Sequence, residues 1–193
     1  LVGSEMCIRD SHAPAIILTT GGRTYPSTGS TGDGYKIVKR VGHTVTPLYA
    51  TESPLISDEP YIQEKTLQGL SLQDITLRVL NKKGRVLTEH TMDLLFTHFG
   101  ISGPAALRCS SFVNKELEKT GEPVTLSLDC FPTQTKQELI HILTEKSKAT
   151  KKNLVNAWHG ILPERLLVFF LERLEMDHLT GQQALSLIHI SEP

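Results

Sequence analysis

The 193 residues carry 20 basic and 21 acidic side chains, a net charge of −1. That balance gives no electrostatic case for nucleic acid or a membrane surface as partner, because either calls for a clustered basic face. No apolar run approaches the roughly 20 residues needed to cross a bilayer, and Cys109 and Cys130 lack the CxxC spacing or nearby His pair of a zinc site, so they suit small buried thiols in a reducing cytoplasm.

The two ends read unlike the rest. Residues 1–11 (LVGSEMCIRDS) and 185–193 (LSLIHISEP) can both be written from one short DNA element in opposite orientations. That element resembles the transposase adapter used to prepare sequencing libraries. The native protein is therefore expected from 12 to 184, with His12 and Ala184 as boundary positions. Leaving out Arg9 and the acids Glu5, Asp10 and Glu192 changes 20 and 21 charges to 19 basic and 18 acidic, a net of +1. The conclusion about partners is unchanged, and the span suits one or two domains with a real core.

Ala15 to Thr19 is a short β-branched run ending in Gly21-Gly22, as expected for a buried strand feeding a tight turn. Away from neighbouring strands, its apolar surface at Ile16 to Leu18 is expected to lie uncovered. A loop dense in Gly, Ser, Thr and Pro follows, then a short helix over Tyr35 to Val41, stopped by Gly42. Residues 51–70 read as a crossing between domains. Leu72 to Leu80 alternates as a strand, Asn81 to Gly84 turns, Arg85 to His90 returns as a hairpin partner, and Leu94 to Phe96 is a further strand. The Thr97 to Pro104 loop leads into a helix reaching about Lys119, with Ser102 placed to cap it and Pro104 in its first turn. Pro123 to Cys130 reads as a strand. Thr135 to Lys146, Asn153 to Trp158 and Pro163 to Leu174 read as helices, the last with its Leu166 to Leu171 run in the core. Lys146 to Lys152 reads as a solvated loop, and His43, His90, His141, His159 and His178 as surface or capping residues.

Glycine density at Gly21 to Gly34 exceeds what a turn requires. Glycines let a backbone approach a ligand, and a helix beginning at Thr31-Gly32-Asp33-Gly34 offers free amides to an anion or electron-rich carbonyl. Asp33 can cap that helix or accept from a ligand, and an ordinary turn with Asp33 as its cap stays open. A Walker phosphate loop is excluded because Tyr35 pushes Lys36 out of register, and the order Gly29-x-x-Gly32-x-Gly34 is not GxGxxG. The second candidate is Thr97 to Pro104, where His98 or Ser102 can donate a proton or hydrogen bond, unless the segment is only a strand-to-helix corner. It lacks the second glycine of a nucleophile elbow.

The string TTGGRTYPSTGSTGDGYKIVKRVGHTVTPL, followed by LLFTHFGISGPAAL, resembles bacterial NAD(P)/FAD-dependent oxidoreductases of the aminoacetone oxidase-like group, which includes dehydro-bile-acid reductases. It is more distantly similar to fumarate reductase flavoproteins and aspartate oxidases, although Thr19-Thr20 stands where that wider group has Ala-Thr. The resemblance spans essentially all of 12 to 184. It implies an α/β plus α+β architecture: part of a Rossmann-like FAD-binding domain over 12–48, then an inserted domain over 49–184, hairpin or barrel-like to about 131 and helical from about 135. By that analogy Thr20, Gly21 and Gly22 lie against FAD, and Thr31, Gly32, Asp33 and Gly34 approach the isoalloxazine. It further implies NAD(P)H as hydride donor, a small-molecule substrate and no metal. The competing expectation is a non-catalytic interaction module whose glycine loop is only structural.

Overall fold

The computed structural model describes residues 12–148 and 153–190, the last five as backbone only. The adapter reading of residues 1–11 and 191–193 lies outside the described residues. The chain divides between Leu48 and Tyr49 into two compact units.

In the first unit, Ala15 to Thr19 runs without a strand partner, and no parallel sheet is present among the described residues. This corrects the expected buried strand. A strand exists only by exchanging backbone hydrogen bonds with a neighbour about 4.8 Å away. Ile16 and Ile17 are accordingly 85% and 88% exposed, the uncovering expected for that run. Pro26–Thr28 forms a 3₁₀ turn, after which Gly29 takes a left-handed φ of 94° and donates to the Pro26 carbonyl. Helix α1 (Asp33–Arg40) starts two residues before the expected Tyr35. It ends as expected at Gly42: the amides of Gly42 and His43 donate to the Lys39 and Val38 carbonyls, the double closure that a left-handed glycine (φ 94°) permits.

The second unit is built on an antiparallel sheet. Its strands are β1 (Leu55–Ile56), β2 (Ser71–Leu80), β3 (Val86–Phe96), β4 (Gly100–Ser102) and β5 (Thr125–Asp129), in spatial order β1-β4-β3-β2-β5. The turn between β2 and β3 falls on Asn81 to Gly84, where Asn81 Oδ1 accepts from the amides of Lys83 (2.9 Å) and Arg85 (3.0 Å). Arg78, at the middle of β2, bridges both neighbours, pairing with Glu89 of β3 at 2.8 Å and Asp129 of β5 at 3.3 Å.

β3 is one strand where two were expected, and it faces a bulge in β2. Leu72 pairs with Leu94 but Ile75 with Met92, so β2 carries one extra residue. Asp74 there adopts φ 49°, and its amide donates to Asp93 Oδ1 at 3.2 Å. The slip in alternation falls on β2, while β3 runs through, pairing at Met92 and Leu94 on either side of the bulge. Bulges also bend a sheet, and this one curls into a half-barrel.

Helix α3 (Pro104–Thr120) packs on the sheet and buries Ala105, Ala106 and Cys109 in one core with Leu77, Val79, Leu94 and Phe96. The short helix α2 (Pro60–Gln63) adds Ile62 to the same core. A helical part follows. Helix α4 (Lys136–Lys148) opens on a reciprocal cap between Thr135 and Glu138. It includes Lys146 and Lys148, expected in a loop; cations are favoured at a helix C-terminus, and Lys148 pairs with Glu145 at 2.9 Å. Residues 149–152 of that expected loop lie outside the described residues. Helix α5 (Leu154–Ala157) is capped by Asn153, which accepts from the Asn156 amide. Helix α6 (Glu164–Arg173) serves two cores, Leu166 joining the barrel cluster while Leu167 and Leu171 pack with Leu154 and Ala184. The final helix, α7 (Gly181–Ile190), was not read from the sequence, and its residues 185–190 belong to the stretch set aside as adapter-derived.

Candidate functional site

The glycine loop of the first unit closes on itself. A Cβ on Gly34 would collide with the Thr20 hydroxyl, and one on Gly21 would stand 3.2 Å from Ser30 Oγ. Gly32, at φ 82°, has Tyr35 and Arg23 within 3.5 Å of the same position, and Gly22 faces the Tyr35 hydroxyl. Residues 20–22 are therefore brought against the 30–35 segment. The contacts that explain the absence of a Cβ at these four glycines are made by the chain itself.

Asp33 is not the cap of α1 but its first residue; Gly32, left-handed, holds the cap position, which has no side chain to offer. The Asp33 carboxylate accepts from the Thr31 hydroxyl (2.6 Å) and pairs with Lys36 (2.9 Å). Those two partners hold it below the usual carboxylate range. With no side chain at the cap, the amides of Asp33 and Gly34 at the head of α1 have no acceptor among the described residues. Beside them opens a groove of about 530 Å³, lined by Arg23, Thr31, Gly32, Lys36 and Lys39 and by the apolar Val45, Pro47 and Leu48.

His98 and Ser102 belong to the second unit. His98 is exposed in the tight turn between β3 and β4, edge-on to the Phe99 ring at 4.9 Å. Ser102 lies in β4 opposite Leu95, and Gly103 caps α3 in its place. The two glycines of this motif have backbone reasons. A Cβ on Gly100 would run into the Leu55 carbonyl, and one on Gly103 would meet the Asp93 carbonyl at 3.0 Å and Leu94 Cα at 3.1 Å. These contacts support the strand-to-helix corner reading.

Cys109 and Cys130 are unpaired, and burial pushes both thiols up to about 11, with Asp129 contributing at Cys130. Sequence reasoning passed over Arg23, Lys36 and Lys39, which meet only when the loop folds back on α1.

A family model described as HI0933-like protein barrel and H2TH domain matches residues 49–189. The chain is 32% identical over 154 residues to a ribosomal RNA dihydrouridine synthase of Escherichia coli, covering 79% of this chain and 34% of that protein. It is 30% identical over 159 residues to the protein of the same name from Haemophilus influenzae, covering 82% and 36%. A 3-dehydro-bile acid delta(4,6)-reductase of Clostridium scindens is 26% identical over 162 residues, covering 83% and 38%. The chain thus spans about a third of the length of these relatives.

Proposed function

The chain belongs to the HI0933-like family, and from that premise we propose that it is part of an FAD-dependent oxidoreductase that reduces a conjugated carbon–carbon double bond, with NAD(P)H as hydride source. The relatives' names carry the reaction class. A dihydrouridine synthase saturates a C=C bond next to a carbonyl, and a 3-dehydro delta(4,6)-reductase acts on C=C bonds conjugated with one. One chemistry serves both.

The first unit fits a flavin. The two amides at the head of α1, left without acceptors because Gly32 at the cap has no side chain, suit an electron-rich ring carbonyl or a phosphate. This is the observation that carries the proposal. Thr20, Gly21, Gly22 and Thr31 to Gly34 would hold the cofactor. Bound FAD would supply the two-electron redox chemistry. The chain's part is placement: Thr31 and Lys36 fix the Asp33 carboxylate, and the Thr20–Gly34 contact fixes where α1 begins.

We take the substrate to be a small molecule, in keeping with the near-neutral charge. RNA is the competing substrate, raised by the two relatives named for it. The unpaired thiols Cys109 and Cys130 fit a cytoplasmic setting. The deciding experiment assays the full-length flavoprotein for NAD(P)H oxidation with a steroid dienone, with uridine and with ribosomal RNA. Dienone-dependent turnover supports the small-molecule reading. Dihydrouridine in RNA with no dienone turnover would overturn it, and a full-length protein that binds no flavin would favour the interaction module.

A further inference from the structure

We propose that the cavity enclosed by the curled sheet of the second unit binds an amphipathic amine, a slender apolar body with a cationic head. The space is about 720 Å³, within the roughly 300–1,000 Å³ of small-molecule sites. The two edge strands of the sheet both line it, β1 through Leu55 and β5 through Leu126. Buried Leu77 and Phe96 form its deep end, and Val113 of α3 lies against it. Walls of this kind offer water few of the polar partners it needs, so an apolar ligand displaces that water favourably. No residue assigned to the flavin is among those lining the cavity, all of which belong to the second unit.

The mouth selects the head group. Asp58 and Glu59 line it side by side, both exposed, and neither joins an ion pair among the described residues. No Lys, Arg or His is among the described residues that line the cavity. Adjacent carboxylates without a counterion hold negative potential at the opening, and a bound cation relieves it. The half-buried Tyr61 adds an aromatic ring of the kind that attracts ammonium groups. Burial, with Glu59 beside it, pushes the Tyr61 phenol up, so the ring stays uncharged at neutral pH. Arg173, which lies over the Phe169 ring, acts on Tyr61 in the opposite sense but does not line the cavity. An anionic head would meet the same two acids and be repelled.

The test is calorimetric titration of the intact 193-residue chain with octyltrimethylammonium, 1-octanol and octanoate, all below micelle formation. The three share a tail and differ in head charge. The ammonium is expected to bind about tenfold more tightly than the alcohol, and octanoate more weakly than either. Asp58→Asn combined with Glu59→Gln should bring the ammonium to within about twofold of the alcohol and leave alcohol binding unchanged. Both positions are exposed, so this variant should stay folded. Leu126→Trp should fill the space and abolish uptake of all three, with circular dichroism to check its fold. No binding of the ammonium, equally tight binding of the alcohol or octanoate, or indifference of the ammonium to the paired substitution would overturn the proposal. A dimer, seen by light scattering, that excludes the probes would overturn it by assigning the cavity to a second copy. Uptake by this chain but not by the full-length protein would overturn it by assigning the cavity to the rest of the protein.

Discussion

The indole N–H of Trp158 donates to Ser147 Oγ at 2.9 Å, and the same hydroxyl donates to the Leu143 carbonyl at 2.8 Å. Ser147 is 2% exposed and is the point where α4, α5 and α7 meet, because Gly181 lies against its backbone. Ser147→Ala leaves a largely enclosed indole donor without a partner and should cost about 1–3 kcal/mol, while Trp158→Phe should cost nearer 1 kcal/mol in lost hydrogen bonding. Urea unfolding of both single variants and the double variant checks this, and the effects should be less than additive.

Gly181→Ala tests the same junction from the other side. The new methyl would stand 2.5 Å from the Ser147 carbonyl, so α7 must move away from α4. A loss of about 1–3 kcal/mol is expected despite the better helix propensity of Ala. A stabilised variant in thermal melts would show that the two helices do not meet there.

The sheet makes a parallel case at its bulge. Asp93→Ala removes the acceptor of the Asp74 amide and should destabilise by about 1 kcal/mol. Asp74→Gly should be neutral or mildly stabilising, since glycine accepts φ 49° without strain. Gly103→Ala, blocked by the Asp93 and Leu94 backbone and left-handed at φ 89°, should be worse than either. Chemical denaturation ranks the three.

Burial raises the thiols of Cys109 and Cys130 from 9.0 to about 11. A proton held more tightly in the folded than in the unfolded chain stabilises fully below pH 9, and that contribution is lost as pH rises from 9 toward 11. Stability should therefore decline across that window, with a smaller decline in Cys109→Ala. Disulfide-exchange labelling of the native protein at pH 8 should be slow, with Cys130, the less buried, reacting first.

What was legible in the sequence was what local chemistry decides. Asn81 and Gly84 announce the hairpin, Pro104 starts α3, and Gly42 stops α1, each through its own backbone preference. The capping box at Thr180 and Gln183, where Thr180 donates to Gln183 Oε1 and Gln183 returns its amide to Thr180 Oγ1, was a readable signal for α7 that was missed. The rest depended on partners distant in sequence. Ala15 to Thr19 has strand composition without a strand beside it. Asp93 marks a bulge only because Asp74 faces it. Gly100 is needed because Leu55 crosses it. At the candidate site, the spacing of Thr31 to Gly34 showed a helix head but not that Gly32 would take the cap position, leaving Asp33 to pair with Lys36 and the amides free.

The flavin assignment is tested most directly by the visible absorption spectrum of the full-length protein, followed by identification of whatever is released on denaturation. The account predicts a yellow protein yielding about one FAD per chain, and only weak FAD uptake by these 193 residues alone. A colourless full-length protein that takes up no added FAD would contradict it.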